Sequence, residues 1–184
     1  MEPDSIHAAK ALAQFLRTMI SSNSKYDKVI RGEASFTPDE NAGFASFNSF
    51  TGGDCFHCHG GVMGTDFSYK NNGLDEFPTD SGRGSITGIS SDNFKFKVPS
   101  IRNIEYSSPY MHDGRFNTLD EVINFYSINV HGNSPNIDPL MEFSSAPITL
   151  FAKDEFLKYR IVSKTIDFDI VAPTPCCCLS VEIM

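Results

Sequence analysis

The sequence predicts an all-α fold with one long irregular connection. Apolar residues recur at helical spacing in stretches that open on capping signals, and no stretch sustains the period-two alternation of a half-buried strand. No internal repeat is visible. At 184 residues the chain is long enough for one domain with a real core, and two full domains would be crowded.

The first helix is predicted over residues 5–21, where Ile6, Ala9, Ala13, Leu16 and Ile20 share a face and Asp4 or Ser5 is available as N-cap. Leu12, Phe15 and Met19 widen that apolar stripe, so the helix is expected to be buried on a broad side. A second helix opens at Thr37-Pro38-Asp39-Glu40, with Thr37 as cap, Pro38 in the first turn and Glu40 closing a capping box. It is expected to reach about Phe50, before the break at Gly52 and Gly53. Residues 60–99, rich in Gly, Ser, Asn, Asp and Thr, read as a long loop. A third helix starts at Thr118 with a box to Glu121, and Leu119, Val122, Ile123 and Tyr126 share its face. A weaker fourth helix is expected over Thr149 to Arg160.

Composition narrows the function. The chain is 40% hydrophobic and 21% charged with a formal net charge of −8, the profile of an ordinary globular protein without the basic face that nucleic acid requires. Every apolar stretch is too short to span a bilayer, so no membrane span is expected. The N-terminus Met-Glu-Pro-Asp-Ser-Ile-His lacks the pattern of an export signal.

Cys55-Phe56-His57-Cys58-His59 fits C-x-x-C-H, the signature of covalent haem attachment. One helical turn brings two sulfurs within reach of the two porphyrin vinyl groups, and the next residue directs its imidazole at the iron. A single haem c, held by Cys55 and Cys58 with His59 as proximal ligand, is the expected cofactor. It accounts for the long loop, because a chain wrapped around a porphyrin uses its apolar faces as core. The domain is therefore expected to be cytochrome c-like, with long haem-wrapping loops. Such haem is attached outside the cytoplasm in bacteria, which implies a periplasmic protein whose export signal is not present in this chain, or a fragment.

Two other uses of the cysteines are weaker. A thioredoxin-like redox pair needs a βαβ context that the sequence does not offer. A zinc site could draw on His57, His59, His112 or His131, without the close spacing of a second ligand pair. His57 reads as a solvent-exposed filler. For the far side of the iron, Met111 in Pro109-Tyr110-Met111-His112-Asp113-Gly114 and Tyr126 are both candidates, and composition does not choose between them. Their structural alternatives are apolar packing for Met111 and a satisfied core hydroxyl for Tyr126.

The runs Phe96-Lys97-Val98-Pro99-Ser100-Ile101-Arg102-Asn103-Ile104, Ser108-Pro109-Tyr110-Met111-His112-Asp113-Gly114-Arg115-Phe116 and Thr118-Leu119-Asp120-Glu121-Val122 carry a resemblance. Together with Ala11 to Phe15 and Asn23 to Asp27, they resemble the C-terminal haem domain of the bacterial dihaem cytochrome c peroxidase and MauG family, over roughly residues 5 to 140. In that family an N-terminal haem meets peroxide and the C-terminal haem passes it electrons. The resemblance implies that this chain is the electron-transfer half, with a second haem domain or a small redox protein as its partner. It places the distal ligand at Tyr126, as in the MauG branch, and makes Met111 pocket wall. It also implies a calcium bound partly by the backbone carbonyls of Ser107 and Pro109, weakly where its remaining ligand is missing. His112 and Arg115 become candidates to hydrogen-bond the haem propionates or pocket water, against the alternative of a surface turn.

This chain departs from the family pattern in containing no Trp, in having one C-x-x-C-H, and in everything after Leu140. The tail with Cys176, Cys177 and Cys178 looks foreign, and adjacent cysteines converge poorly on one metal ion. The expected organisation is a lead-in helix and linker over 1–36, a cytochrome c-like haem domain over 37–162 and a disordered tail over 163–184. A stand-alone monohaem electron carrier is the alternative function, and an inactive truncated product the third.

Overall fold

The computed structural model describes residues 4–50 and 53–142. Over these the chain is mostly helical: α1 (Ser5–Thr18), α2 (Lys25–Ile30), α3 (Pro38–Phe47), α4 (Phe56–His59), α5 (Gly84–Thr87), α6 (Leu119–Ile128) and α7 (Pro139–Glu142). Two short strands, β1 (Tyr69–Lys70) and β2 (Phe96–Lys97), pair antiparallel with Tyr69 opposite Lys97 and Lys70 opposite Phe96. The all-α expectation is corrected by this small sheet. Each strand has two residues, too few for an alternation pattern to register in sequence.

The capping signals produced helices where they were read. Thr37 and Thr118 each accept from the backbone N–H three residues on, and Glu40 and Glu121 reach back to complete both boxes. Asp4 caps α1 by accepting from the His7 N–H at 2.8 Å. α3 stops at Phe47, short of the expected Phe50, because the Phe44 carbonyl is taken by both the backbone N–H and the Nδ2 of Asn48. α2 lies within the segment expected to be linker, and Ser24 and Asp27 open it with a third capping box.

α1 departs most from expectation. None of its residues is buried, and Ile6, Leu12, Phe15 and Leu16 are 62–64% exposed. Its stripe is real, but no described residue covers it. The expected fourth helix and the cysteine-bearing tail lie outside the described residues.

Packing centres on Ile101, against which Tyr26, Phe44, Phe47 and Ile104 gather. Phe125 is buried beside Phe116 and Tyr126 in a separate aromatic group. The remaining buried apolar residues are Leu74, Val98, Tyr110 and Ile137, and no large side chain among the described residues is fully buried. The described residues thus make a thin core of their own side chains.

Polar ties hold the loops to that core. Arg102 is buried and donates to both carboxylate oxygens of Asp27, at 2.6 and 3.0 Å, and to the carbonyls of Val62 and Ser21. One guanidinium therefore joins the segment before α2, α2 itself and the loop after α4. The long loop is stitched at several points, with Val98 N–H donating to the Ser68 carbonyl and Phe94 N–H to that of Ser81, both at 2.9 Å.

Candidate haem site

α4 is a single turn carrying the C-x-x-C-H run. The N–H groups of Cys58 and His59 both donate to the Cys55 carbonyl, at 3.3 and 2.9 Å, so the two thiols and the imidazole project from one turn. Beyond it, the Asp66 N–H closes on the Cys58 carbonyl at 2.8 Å. Burial pushes the Cys55 thiol up to about 12 and raises that of Cys58 as well. An activated redox cysteine is shifted the opposite way, so the thioredoxin-like alternative finds no support in the site.

His59 reaches back to the motif run downstream. Its Nδ1 lies 3.2 Å from the Pro99 carbonyl oxygen and 3.3 Å from that of Gly64. Carbonyls only accept, so Nδ1 carries the proton and Nε2 keeps its lone pair. Burial lowers the His59 pKa, the carbonyl hydrogen bonds opposing it in part, which favours the neutral ring a metal needs. A ligating histidine oriented by a backbone carbonyl through its other nitrogen is the usual arrangement at metals.

Gly64 can make this contact because it has no side chain. A Cβ there would stand 2.6 Å from Ile101 Cγ1, and its φ of +59° lies in the left-handed region.

The two distal candidates converge on Asn72. Its Nδ2 donates to the Tyr126 hydroxyl oxygen at 3.0 Å and lies 3.6 Å from the Met111 sulfur. Burial raises the Tyr126 pKa, opposed by the Asn72 hydrogen bond and reinforced by the nearby Cys55 and Cys58. Tyr126 on α6 therefore lies near enough to the two free cysteines of the α4 turn to feel their charge. Met111 has a φ of +72°, uncommon for a side-chain-bearing residue.

The other candidates lie as follows. His57 is half-buried rather than solvent-exposed, with Nδ1 2.7 Å from Asp54 and its ring against Phe50 and Phe56. His112 stacks on Phe96 at 3.7 Å between ring centres. Arg115 is held by both oxygens of Asp75 at 2.9 Å, by Asp113 and by the Leu74 carbonyl. Ser107 and Pro109 are exposed and flank Ser108, whose hydroxyl donates to the Asn117 carbonyl. Among the described residues, no three His, Cys, Asp or Glu side chains converge as a metal ion would require, so the zinc alternative lacks a ligand set there.

The chain is similar to several known proteins. The chain is 29% identical over 89% of its length to the cytochrome-c peroxidase IdrP2 of Denitromonas iodatirespirans, covering 50% of that protein. It is 35% identical over 65% of its length to the methylamine utilization protein MauG of Methylorubrum extorquens, covering 34% of it. A crystal structure of a MauG-like protein associated with microbial copper homeostasis superposes with a TM-score of 0.72 at 30% identity, over 83% of this chain and 51% of that one. The chain belongs to the dihaem cytochrome c peroxidase and MauG family. No family model matches it.

This family member spans about half the length of its relatives, or less. The family binds haem c, and the donor set here fits that group: two thiols on one turn, an imidazole whose Nε2 keeps its lone pair, and the half-buried phenol of Tyr126 held by Asn72. The motif run 96–104 has a physical role in each part. Pro99 orients His59, Ile101 centres the core, and Arg102 ties the loops to α2. Sequence reasoning named Cys55, Cys58, His59, Met111 and Tyr126, and missed Asn72, Gly64 and the Asp27–Arg102 pair. Asp27 was legible as the last residue of Ser24-x-x-Asp27, whereas nothing local marks Asn72.

Proposed function

We propose that this chain is the electron-transfer haem domain of a dihaem cytochrome c peroxidase or MauG-like oxidoreductase. Cys55 and Cys58 would hold one haem c by thioether bonds, His59 would ligate its iron on one side, and Tyr126 would be the ligand on the other, with Met111 in the pocket wall. The observation that carries this reading is the His59 imidazole, fixed through Nδ1 by the Pro99 carbonyl on the same turn as two cysteines. The thin core supports it, since an apolar macrocycle supplies packing surface that the side chains do not.

The haem would supply reversible one-electron chemistry. The protein's part would be to bind it and exclude water, with His59 and Tyr126 as the residues that hold its iron. With both of these bound, electron transfer would be favoured over peroxide chemistry, because no position would be left for substrate. The peroxide-reducing activity of the family would then reside in a second haem domain, which this chain serves as electron donor or acceptor. Ser107 and Pro109 offer two backbone carbonyls to calcium, a weak site without further ligands. Thioether attachment implies maturation in the periplasm, and no helix among the described residues is long and apolar enough to cross a membrane.

The test is to express the chain behind an export leader in a host with haem-attachment machinery. A mass increase of one haem and the absorption spectrum of haem c are expected, and Cys55→Ala with Cys58→Ala together should abolish both. A colourless product of unmodified mass would overturn the proposal.

A further inference from the structure

Among the described residues, the Asn72 side chain reaches both candidate distal ligands. It sits in a segment that cannot easily move. Its neighbour Asn71 is buried, donates to Ser134 Oγ and the Pro135 carbonyl at 3.0 and 2.8 Å, and accepts from the Gly73 N–H at 2.9 Å. The Asn71 carbonyl accepts from Asp138 N–H and the Gly73 carbonyl from His131 N–H, both at 2.9 Å. Lys70 adds an ion pair to Asp138. Both residues that flank Asn72 are therefore anchored to the chain after α6, and the amide between them is presented from a fixed frame.

From that frame the amide distinguishes its two neighbours. A carboxamide N–H is a good donor to oxygen and a poor one to thioether sulfur. It lies within hydrogen-bond distance of both, 3.0 Å from Tyr126 Oη and 3.6 Å from the larger Met111 Sδ, so the discrimination rests on acceptor strength rather than on length. When the phenol serves as an anionic ligand the hydrogen bond becomes charge-assisted and strengthens, while the contact to sulfur does not.

We propose that Asn72 is a positioning residue that selects the distal haem ligand, its fixed amide holding Tyr126 by a hydrogen bond and leaving Met111 displaced. This rests on the haem-binding reading above. Removing the donor takes away a bond that favours only the tyrosinate state, so the ratio of tyrosine to methionine ligation should fall about tenfold or more.

The experiment uses the holoprotein matured in the periplasm and compares wild type with Asn72→Leu, Asn72→Asp, Tyr126→Phe and the Asn72→Leu/Met111→Leu double variant. Asn72→Asp is nearly isosteric, so it removes the donor while keeping the shape. Readouts are the ferric near-infrared spectrum, where sulfur-to-iron charge transfer marks methionine ligation, and the reduction potential. A wild-type spectrum that changes in Tyr126→Phe, with a sulfur band that appears in both single Asn72 variants and vanishes in the double variant, supports the proposal. If Tyr126→Phe changes the spectrum but both Asn72 variants keep the wild-type spectrum and potential, the selecting role is wrong and the haem reading stands. Loss of haem from both Asn72 variants alone would make the residue structural and also overturn selection. A wild type that is colourless, or whose spectrum Tyr126→Phe leaves unchanged, overturns the ligand reading and this inference with it.

Discussion

Single residues in this protein act by tying distant segments to the turn that carries the cysteines. The buried Asp27–Arg102 pair is the strongest such tie, and breaking it from one side leaves an unmatched charge in the interior. Arg102→Leu is expected to cost about 3–5 kcal/mol, read from urea denaturation. The Arg102 hydrogen bond holds the Asp27 carboxyl down at about 2 from an ordinary 3.8. A depressed carboxylate stabilises the fold above its unfolded pKa and loses that contribution as pH falls toward the folded one. About 2–3 kcal/mol should therefore be present at neutral pH and drain between about pH 4 and pH 2. Comparing unfolding free energies of wild type and Asp27→Asn across that window checks the sign: an identical acid slope in the two proteins would assign the loss to other groups. Gly64→Ala tests the other tie. Its Cβ would meet Ile101 at 2.6 Å in a left-handed conformation, so a loss of about 1–3 kcal/mol is expected, visible as a lower Tm.

Among the secondary-structure elements, α6 and α1 make opposite predictions from similar sequence signals. Both are capped and carry an apolar stripe. α6 buries Phe125 and delivers Tyr126 to Asn72, so its cap bears on the site. Thr118→Ala should cost about 1 kcal/mol of stability by thermal or chemical unfolding. α1 buries nothing among the described residues, and charge on its stripe should be tolerated. Leu12→Lys and Phe15→Glu are each expected to change unfolding free energy by no more than about 0.5 kcal/mol. A loss near that of a core truncation would show the stripe to be covered in solution. The same comparison explains why α1 is exposed against expectation: amphipathic spacing says that a face suits burial, and says nothing about what covers it.

For the whole molecule, the thin core has a thermodynamic consequence. Six apolar side chains are buried, none of the large ones fully, over the described residues. Covalently attached haem would remain on the unfolded chain as well, so it should contribute a large share of the folded state's stability through the apolar surface that the folded chain buries against it. The Cys55→Ala/Cys58→Ala variant is expected to keep much of its helical far-ultraviolet circular dichroism, lose the fixed near-ultraviolet signal and bind hydrophobic dye. A sharp cooperative transition with native near-ultraviolet structure in that variant would count against a haem-dependent core.

By itself the sequence determined the chemistry and the local starts: the C-x-x-C-H turn, the capping boxes at Thr37 and Thr118, the family signature through residues 96–116, and Met111 and Tyr126 as the pair of distal candidates. The turn and the capping boxes are written in residues a few positions apart, where spacing dictates geometry, whereas the family signature and the two distal candidates were legible as a longer run of residue identities. Only the tertiary structure decided that Pro99 orients His59, that Arg102 closes on Asp27, that Asn72 stands between Met111 and Tyr126, and that α1 is left uncovered. These contacts join residues 40, 75, 39 and 54 positions apart, and no local pattern encodes which distant partner a loop will meet.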